Sequence, residues 1–408
     1  MISVAIPEPR RLSPMFVAIS LVLGVSVPAL AGPGSFTEAL TGGKASIDAR
    51  LRYESVDQDN ALKNANAFTA RVRLGYKTGE FAGFGAFVEA EHINALGGES
   101  FNSTTNGETA YSVVADPEAT EMNQAYLSYS GLSGTVIKYG RQRIKLDNDR
   151  FVGNVGWRQN EQTYDALSVV NSTLPDTTIT AAYITNVNRV FSDESTAGNF
   201  QMSSPIFNVK YSGFGFGEFV GYAYLLDFDT LASNSTQTYG IRFNGSTPIQ
   251  SVKALYTAEF ASQRDYKDNP GDFSLSYYRL EGGVGLSSVQ FNLGQEKLSG
   301  NGRFAFQTPL ATLHAMNGWT DQFLSTPANG LKDTYVSAST TVQGVKLAAV
   351  YHDFRADKGS AKYGTEWNLV ATKKIGENYA VGAKYGRYNA DSFKVDTDKV
   401  WLWAEAKF

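Results

Sequence analysis

The chain alternates between apolar and polar residues over long stretches. Over residues 46–54, Ile47, Ala49, Leu51 and Tyr53 fall on one parity and Asp48, Arg50, Arg52 and Glu54 on the other. A period of two places successive side chains on opposite faces of a β-strand. The pattern returns at once. Phe68, Ala70, Val72, Leu74 and Tyr76 alternate with Thr69, Arg71, Arg73 and Lys77, and then Ala86, Val88 and Ala90 alternate with Glu89 and Glu91. Far downstream, Val252, Ala254, Tyr256, Ala258 and Phe260 repeat it, as do Tyr363, Thr365, Trp367, Leu369 and Ala371. Eighteen strands are predicted, near 44–55, 66–78, 83–94, 122–130, 134–142, 161–171, 176–186, 205–212, 217–227, 236–245, 250–262, 273–286, 288–297, 333–343, 344–355, 361–374, 378–388 and 398–408.

An apolar face opposite a charged one fits a soluble sandwich or an outer-membrane barrel. Strand length and connections choose between them. The segments run to about ten residues, the length a tilted membrane strand needs, whereas soluble strands have about five or six. Short connections (79–82, 131–133, 172–175, 213–216, 246–249, 287, 343–344, 375–377) alternate strictly with long ones, the longest being 95–121, 143–160, 187–204 and 298–332. Short turns on one rim and long loops on the other belong to outer-membrane barrels. The expected fold is therefore all-β: a transmembrane antiparallel β-barrel of about 18 strands, with short periplasmic turns and long extracellular loops. Closure requires the last strand to pair with the first, which removes both edges. In that last strand Val400, Leu402, Ala404, Ala406 and Phe408 share the apolar face. It resembles the C-terminal signature by which such barrels are recognised for assembly, so the expected partners are the barrel-assembly machinery, outer-membrane lipid and lipopolysaccharide. Trp401 and Trp403 fall on the inward parity. Three segments, 135–143, 161–171 and 217–227, do not keep a clean alternation; a bulge is one reason a register resets.

The first residues read as a processing segment. Arg10 and Arg11 precede a short apolar run over 15–27, and Ala29-Leu30-Ala31 is a small-x-small cleavage site. Residues 1–31 are thus a predicted cleaved signal peptide and 32–408 a single barrel domain in the bacterial outer membrane. The alternative, an N-terminal anchor, needs about 20 apolar residues.

Composition narrows the chemistry. The absence of cysteine excludes disulfides and thiolate metal sites. The formal net charge of -4 gives no basic footprint for nucleic acid. His92, His314 and His352 are the only imidazoles and stand on distant segments, with no nucleophile elbow and no HExxH, so no enzyme is expected. Asp265, Asp268 and Asp272 share one loop and Asp396 and Asp398 lie together, but without the spacing of a calcium loop. No metal and no cofactor is expected.

Two segments stand apart from the strand pattern. Residues 139–166 are long and dense in Arg and Asp, where a loop should leave the outer rim. Folded inward, Arg141, Arg143, Lys145, Arg150 and Arg158 would narrow the lumen with positive charge, with Asp147 and Asp149 fixing their geometry by paired hydrogen bonds and Trp157 among them. Such a constriction selects solutes by sign. The bland alternative is a solvated loop held by its own ion pairs. In residues 313–337, Trp319 with Asp321 could contact a sugar, or simply pack the loop onto the barrel mouth. In the wall, Arg50, Arg52, Arg71 and Arg73 form a basic patch followed by Glu89 and Glu91 on the next strand.

These two segments resemble the alginate-export porin family of eighteen-stranded outer-membrane barrels. The likeness rests on Gly140-Arg141-Gln142, the Asp-rich stretch, Val155-Gly156-Trp157-Arg158-Gln159 with Tyr164-Asp165, and on Asn317-Gly318-Trp319 with Asp321 and Gly330-Leu331 with Asp333. The resemblance implies passage of a solute through a lumen with a charged constriction. With the charges above, the expected function is a porin-like channel for small hydrophilic solutes, anionic or carboxylated sugars and oligosaccharides among them. A polysaccharide export channel and a non-conducting structural or adhesin barrel are the alternatives.

Overall fold

The structure, a computed structural model, describes residues 34–408; the predicted signal segment lies outside the described residues. A short helix, α1 (Phe36–Thr41), precedes strands β1 (Lys44–Gln58), β2 (Ala65–Lys77), β3 (Phe84–Ala95), β4 (Ala119–Tyr129), β5 (Thr135–Gln142), β6 (Thr163–Asn171), β7 (Thr177–Asn188), β8 (Asn199–Phe214) and β9 (Gly217–Leu226). These are followed by β10 (Thr236–Ile249), β11 (Val252–Asp265), β12 (Ser274–Leu286), β13 (Val289–Leu298), β14 (Leu331–Val342), β15 (Val345–Arg355), β16 (Lys362–Ile375), β17 (Tyr379–Ala390) and β18 (Thr397–Lys407). Every strand pairs antiparallel with its neighbours in sequence, and β1 also pairs with β18. The sheet is closed, which leaves no backbone edge to lipid.

Parity sorts the side chains as expected. Ile47, Leu51, Val72, Leu74, Leu280, Leu293, Val336, Leu369 and Leu402 are exposed on the outer wall, while Arg52, Glu54, Arg71, Arg73, Glu91, Glu259 and Glu366 are buried on the inner one. Aromatic residues gather beside the short turns: Phe84 with Tyr129 at 4.6 Å, Tyr211 with Phe214 at 5.1 Å, and Tyr379 with the terminal Phe408 at 5.7 Å between ring centroids. This is an interfacial girdle. Helix α1 was not foreseen. Its N-cap Ser35 accepts a hydrogen bond from the Glu38 amide, and it is tied to the periplasmic rim by the Tyr76 hydroxyl, which donates to the Leu40 carbonyl.

The strands that blurred the alternation have separate reasons. In β5, Tyr139 lies opposite Leu127 and Leu167 and is 70% exposed, so it faces lipid and carries Arg141 with it to the outer face. The chain turns inward only after Gln142. Opposite β6, β7 bulges between Ile184 and Asn186, which resets the register. In β9 the inward residues Val220, Tyr222, Tyr224 and Leu226 are themselves apolar and buried, because a loop fills the lumen beside them. Leu402 is the middle residue of β18 and half-exposed to lipid. Leu402→Arg is expected to destabilise the refolded barrel by about 2–4 kcal/mol, read from denaturant unfolding in lipid vesicles; a change within error would mean that this wall does not face hydrocarbon.

Candidate functional site

Two long connections enter the lumen and pack on each other. The first, residues 143–162, leaves β5 at the outer rim. Two residues before β5 ends, Gly140 has φ +124°, and a Cβ there would lie 2.4 Å from the Ala125 carbonyl oxygen, so β5 lies against β4 with no room for a side chain at this position. The second, residues 299–330, joins β13 to β14. Val152 bridges Leu310, the Gly153 amide donates to the Leu310 carbonyl at 2.9 Å, and the Thr312 amide donates to the Asp149 carbonyl at 3.0 Å.

The wall arginines hold the first loop. Arg50 donates to the carbonyls of Gly156 and Trp157 at 3.2 and 3.1 Å and to Glu405 at 2.8 Å. Arg52 donates to the Trp157 carbonyl and to Asp116. Arg73 donates to the Gln159 carbonyl at 3.1 Å and to Glu91 at 2.7 Å. Arg71 is buried and pairs with Asp48 at 2.5 Å. The expected basic patch is thus a set of anchors compensated by carboxylates, and its separation from Glu91 does not persist.

The loop's own charges are compensated as well. Arg143 pairs with Glu89 at 2.8 Å and with Glu161. Burial alone would raise the Glu161 carboxyl, but Arg73 and Arg143 bring it down to about 2. Arg150 reaches Glu296 at 3.0 Å and Asn317 at 3.2 Å. Arg158 reaches Glu54 at 2.9 Å and Asp321 at 3.4 Å, with Asp116 3.9 Å away. Burial opposes its charge, yet the three carboxylates keep its pKa above the ordinary guanidinium value. Asp147 and Asp149 were the expected partners of these arginines, but Asp147 instead accepts from Asn208 at 2.8 Å and Asp149 pairs only with the exposed Lys145 at 3.0 Å. Nor does Arg141 reach the lumen; on the outer face of β5 it pairs with Asp165 at 2.9 Å.

At the centre Trp157 stacks on His314, with ring centroids 4.8 Å apart and planes 5° from parallel, and meets Trp401 and Trp403 edge-on. Lys384 of β17 donates to His314 Nε2 at 2.8 Å and lies over Trp157 and Trp319, at 4.4 and 3.9 Å from the ring centroids. His314 Nδ1 faces Asp321 at 2.7 Å, and Lys399 of β18 faces the same carboxylate at 2.8 Å. The Lys384 ammonium can only donate, so His314 Nε2 is the acceptor and Nδ1 carries the proton. Burial and Lys384 push the imidazole down to about 3. Burial would raise the Asp321 carboxyl, but Lys399, His314 and Arg158 hold it well below the usual range. Gly318 has φ +88°, and a Cβ there would meet the Glu366 carboxylate at 2.4 Å. The turn therefore places the Thr320 amide and hydroxyl on Glu366, at 2.9 and 2.6 Å.

Above this plane a funnel of ≈560 Å³ opens toward the outer face. Its walls include Val113, Phe191, Pro309 and Leu324, and Arg158, His314, Asp321 and Lys399 stand at its floor. Arg189 and Lys394 also line it. Arg189 lies over Phe191 and Phe200, at 4.7 and 4.4 Å, and burial lowers it to about 10. The structure brings Arg50, Arg52, Arg73, Arg143, Arg150, Trp157, Arg158, Trp319 and Asp321 together around the two loops. It adds Glu54, Asp116, Glu161, Lys384 and Lys399, which sequence reasoning did not single out. Inward parity marked Glu54, Lys384 and Lys399; Asp116 carried no such signal.

A family model described as alginate export matches residues 41–286. The chain belongs to the alginate export family. The matched stretch runs from β1 to β12 and includes the first inward loop; the second, with Asn317-Gly318-Trp319, lies beyond it. Among solved structures the chain is similar to OccAB4 of Acinetobacter baumannii, at 14% identity over 90% of this chain and 98% of that one, with a TM-score of 0.73. It is likewise similar to the outer membrane protein OpdK of Pseudomonas aeruginosa, at 14% identity over 90% and 99% with a TM-score of 0.71. A further structure of OpdK, with vanillate, matches at 13% identity, 90% and 99% coverage and a TM-score of 0.72. These likenesses concern the fold. No curated protein matches the sequence. This alginate export family barrel resides in the bacterial outer membrane.

Proposed function

We propose that the barrel is a passive channel for small anionic solutes, carboxylated sugars and other small carboxylates included, narrowed by the inward loop at 143–162. The observation that carries this reading is the outer funnel. It ends on a charged floor and carries two cations, Arg189 and Lys394, that pair with no carboxylate among the described residues. A positive charge beside low-dielectric walls raises the local concentration of anions, and the apolar wall suits the body of a carboxylate whose charge turns to Arg189. The structural relative OpdK is described with vanillate, an aromatic carboxylate, and the same chemistry fits this funnel. No enzymatic role is invoked. Lipid and lipopolysaccharide contact the outer wall, and the apolar parity of the C-terminal strand supports delivery by the barrel-assembly machinery.

The refolded protein in liposomes is expected to admit a hexuronate faster than the matching neutral hexose, and Arg189→Gln is expected to reduce that ratio about twofold or more. Vesicles that neither swell nor conduct with a correctly folded barrel would sink the channel reading; equal rates for both sugars would sink the anion preference.

A further inference from the structure

The arginines of the constriction are poor candidates for the source of ion selectivity, because each faces a carboxylate. Uncompensated charge lies at Arg189 and Lys394 in the outer funnel and, in greater number, at the periplasmic end of the wall. Along the strands, the parity that carries Arg50, Arg71, Glu405 and Lys384 inward also carries a set of lysines to the last few residues before the periplasmic turns. Lys44 opens β1 and Lys77 ends β2; Lys138 is the fourth residue of β5; Lys253 and Lys346 are the second residues of β11 and β15; Lys374 is the last but one of β16. All are exposed except Lys138, which is half-buried with its ammonium 4.7 Å from the Tyr126 ring centroid.

We propose that the ion preference of the pore is set at its periplasmic mouth by a ring of lumen-facing lysines, Lys44, Lys77, Lys138, Lys253, Lys346 and Lys374. The inference rests on the channel reading above and deepens it. Among the described residues none of the six pairs with a carboxylate. The inward carboxylates of the strands at that end are already engaged, Asp48 by Arg71 and Lys407, Glu405 by Arg50, and Glu218 by Lys210, and those left in the turns are Glu80, Asp176 and Glu377. Lys44 and Lys77 stand directly opposite each other in the β1–β2 ladder, a like-charge pair that costs stability and that packing does not require. Lys253 and Lys346 line one cavity of ≈750 Å³ with Gln290, Ser339 and Thr341. Six cations around a water-filled mouth create a positive potential that enriches anions and depletes cations. At the other end the loop over 96–118 carries Glu99, Glu108 and Glu118 with no Lys or Arg, and Arg189 and Lys394 face the outer funnel.

The test is the reversal potential of single channels in planar bilayers under a KCl gradient at low ionic strength, for the wild type and for the variant with all six lysines changed to Gln. Gel mobility with and without heating checks that each barrel is folded. The wild type is expected to prefer chloride about threefold or more, and the variant to lose or invert the preference while its conductance stays within about twofold. Raising the salt to about 1 M, where the screening length is ~3 Å, is expected to shrink the difference. A conducting wild type whose chloride preference survives in the variant, or that lacks the preference, overturns the ring and leaves a channel standing. A folded wild type that does not conduct overturns the channel reading and the ring with it.

Discussion

Arg158→Ala is expected to raise single-channel conductance severalfold and to make the current noisy. The guanidinium is buried among Glu54, Asp116 and Asp321, which come from β1, from the 96–118 loop and from the second inward loop. Removing it takes one buried cation from a cluster in which Arg52 is then the cation facing Glu54 and Asp116 and Lys399 the one facing Asp321. Breaking a buried ion pair costs about 3–5 kcal/mol, and here the cost falls on the folded-in state of the loops, not on the barrel wall, whose backbone ladder is complete. The anchors at Arg50, Arg52 and Arg73 remain, so the loop is loosened and not lost, which is why fluctuation accompanies the larger conductance. Arg158→Lys keeps the charge but cannot span Glu54 and Asp321 with one planar fork, and falls between the two. A conductance for Arg158→Ala equal to that of the wild type would show that the ion path does not pass the two loops.

The second large effect is one of pH. In the packed loops His314 is neutral, with a pKa pushed down to about 3, whereas a released loop would present an ordinary imidazole near about 6.5. A depressed base favours release by proton uptake, so the packed state weakens progressively as pH falls below about 6.5. The carboxylates act in the same direction but lower. Glu161 at about 2 and Asp321 well below its usual value contribute stability that is complete above about pH 4 and is lost as pH falls toward their packed values. The groups that face His314 are Lys384, Asp321, Arg158 and Trp157, from β17 and both loops. Conductance is therefore expected to rise as pH falls below about 6, and to rise again near pH 3. His314→Gln removes the first rise and keeps the second. A wild-type profile that is level from pH 7 to 4 would show that the imidazole does not become more basic when the loops move.

Sequence and structure part at the wall arginines, at Arg141 and in β9. The arginines at 50, 52, 71 and 73 were legible as inward residues because parity alone settles which face they take. Their role was not legible, since the loop carbonyls and carboxylates that they meet lie up to 355 residues away in the chain. Arg141 was misplaced for a related reason. It stands in an Arg-rich run, yet its parity with Tyr139 puts it on the outer wall beside Asp165, and local composition cannot outvote register. The blurred alternation of β9 was a signal of another kind. Tyr222 and Tyr224 are apolar on the lumen side because Phe151 of the inward loop packs on them at 5.0 and 5.8 Å.

The sequence by itself determined the barrel, its eighteen strands, the alternation of short turns with long loops, and which side of the wall most residues face in the strands that keep a clean alternation. These follow from a period of two and from the need to satisfy every backbone group in lipid, both of which are local in the chain. Only the tertiary structure decided that two loops share the lumen, that Asp116 and Asp321 meet on one guanidinium, that Lys384 sits between tryptophans, and which cations remain without partners. Those facts depend on contacts between segments far apart in sequence, and charge compensation across a closed wall is a property of the assembled barrel rather than of any stretch of it.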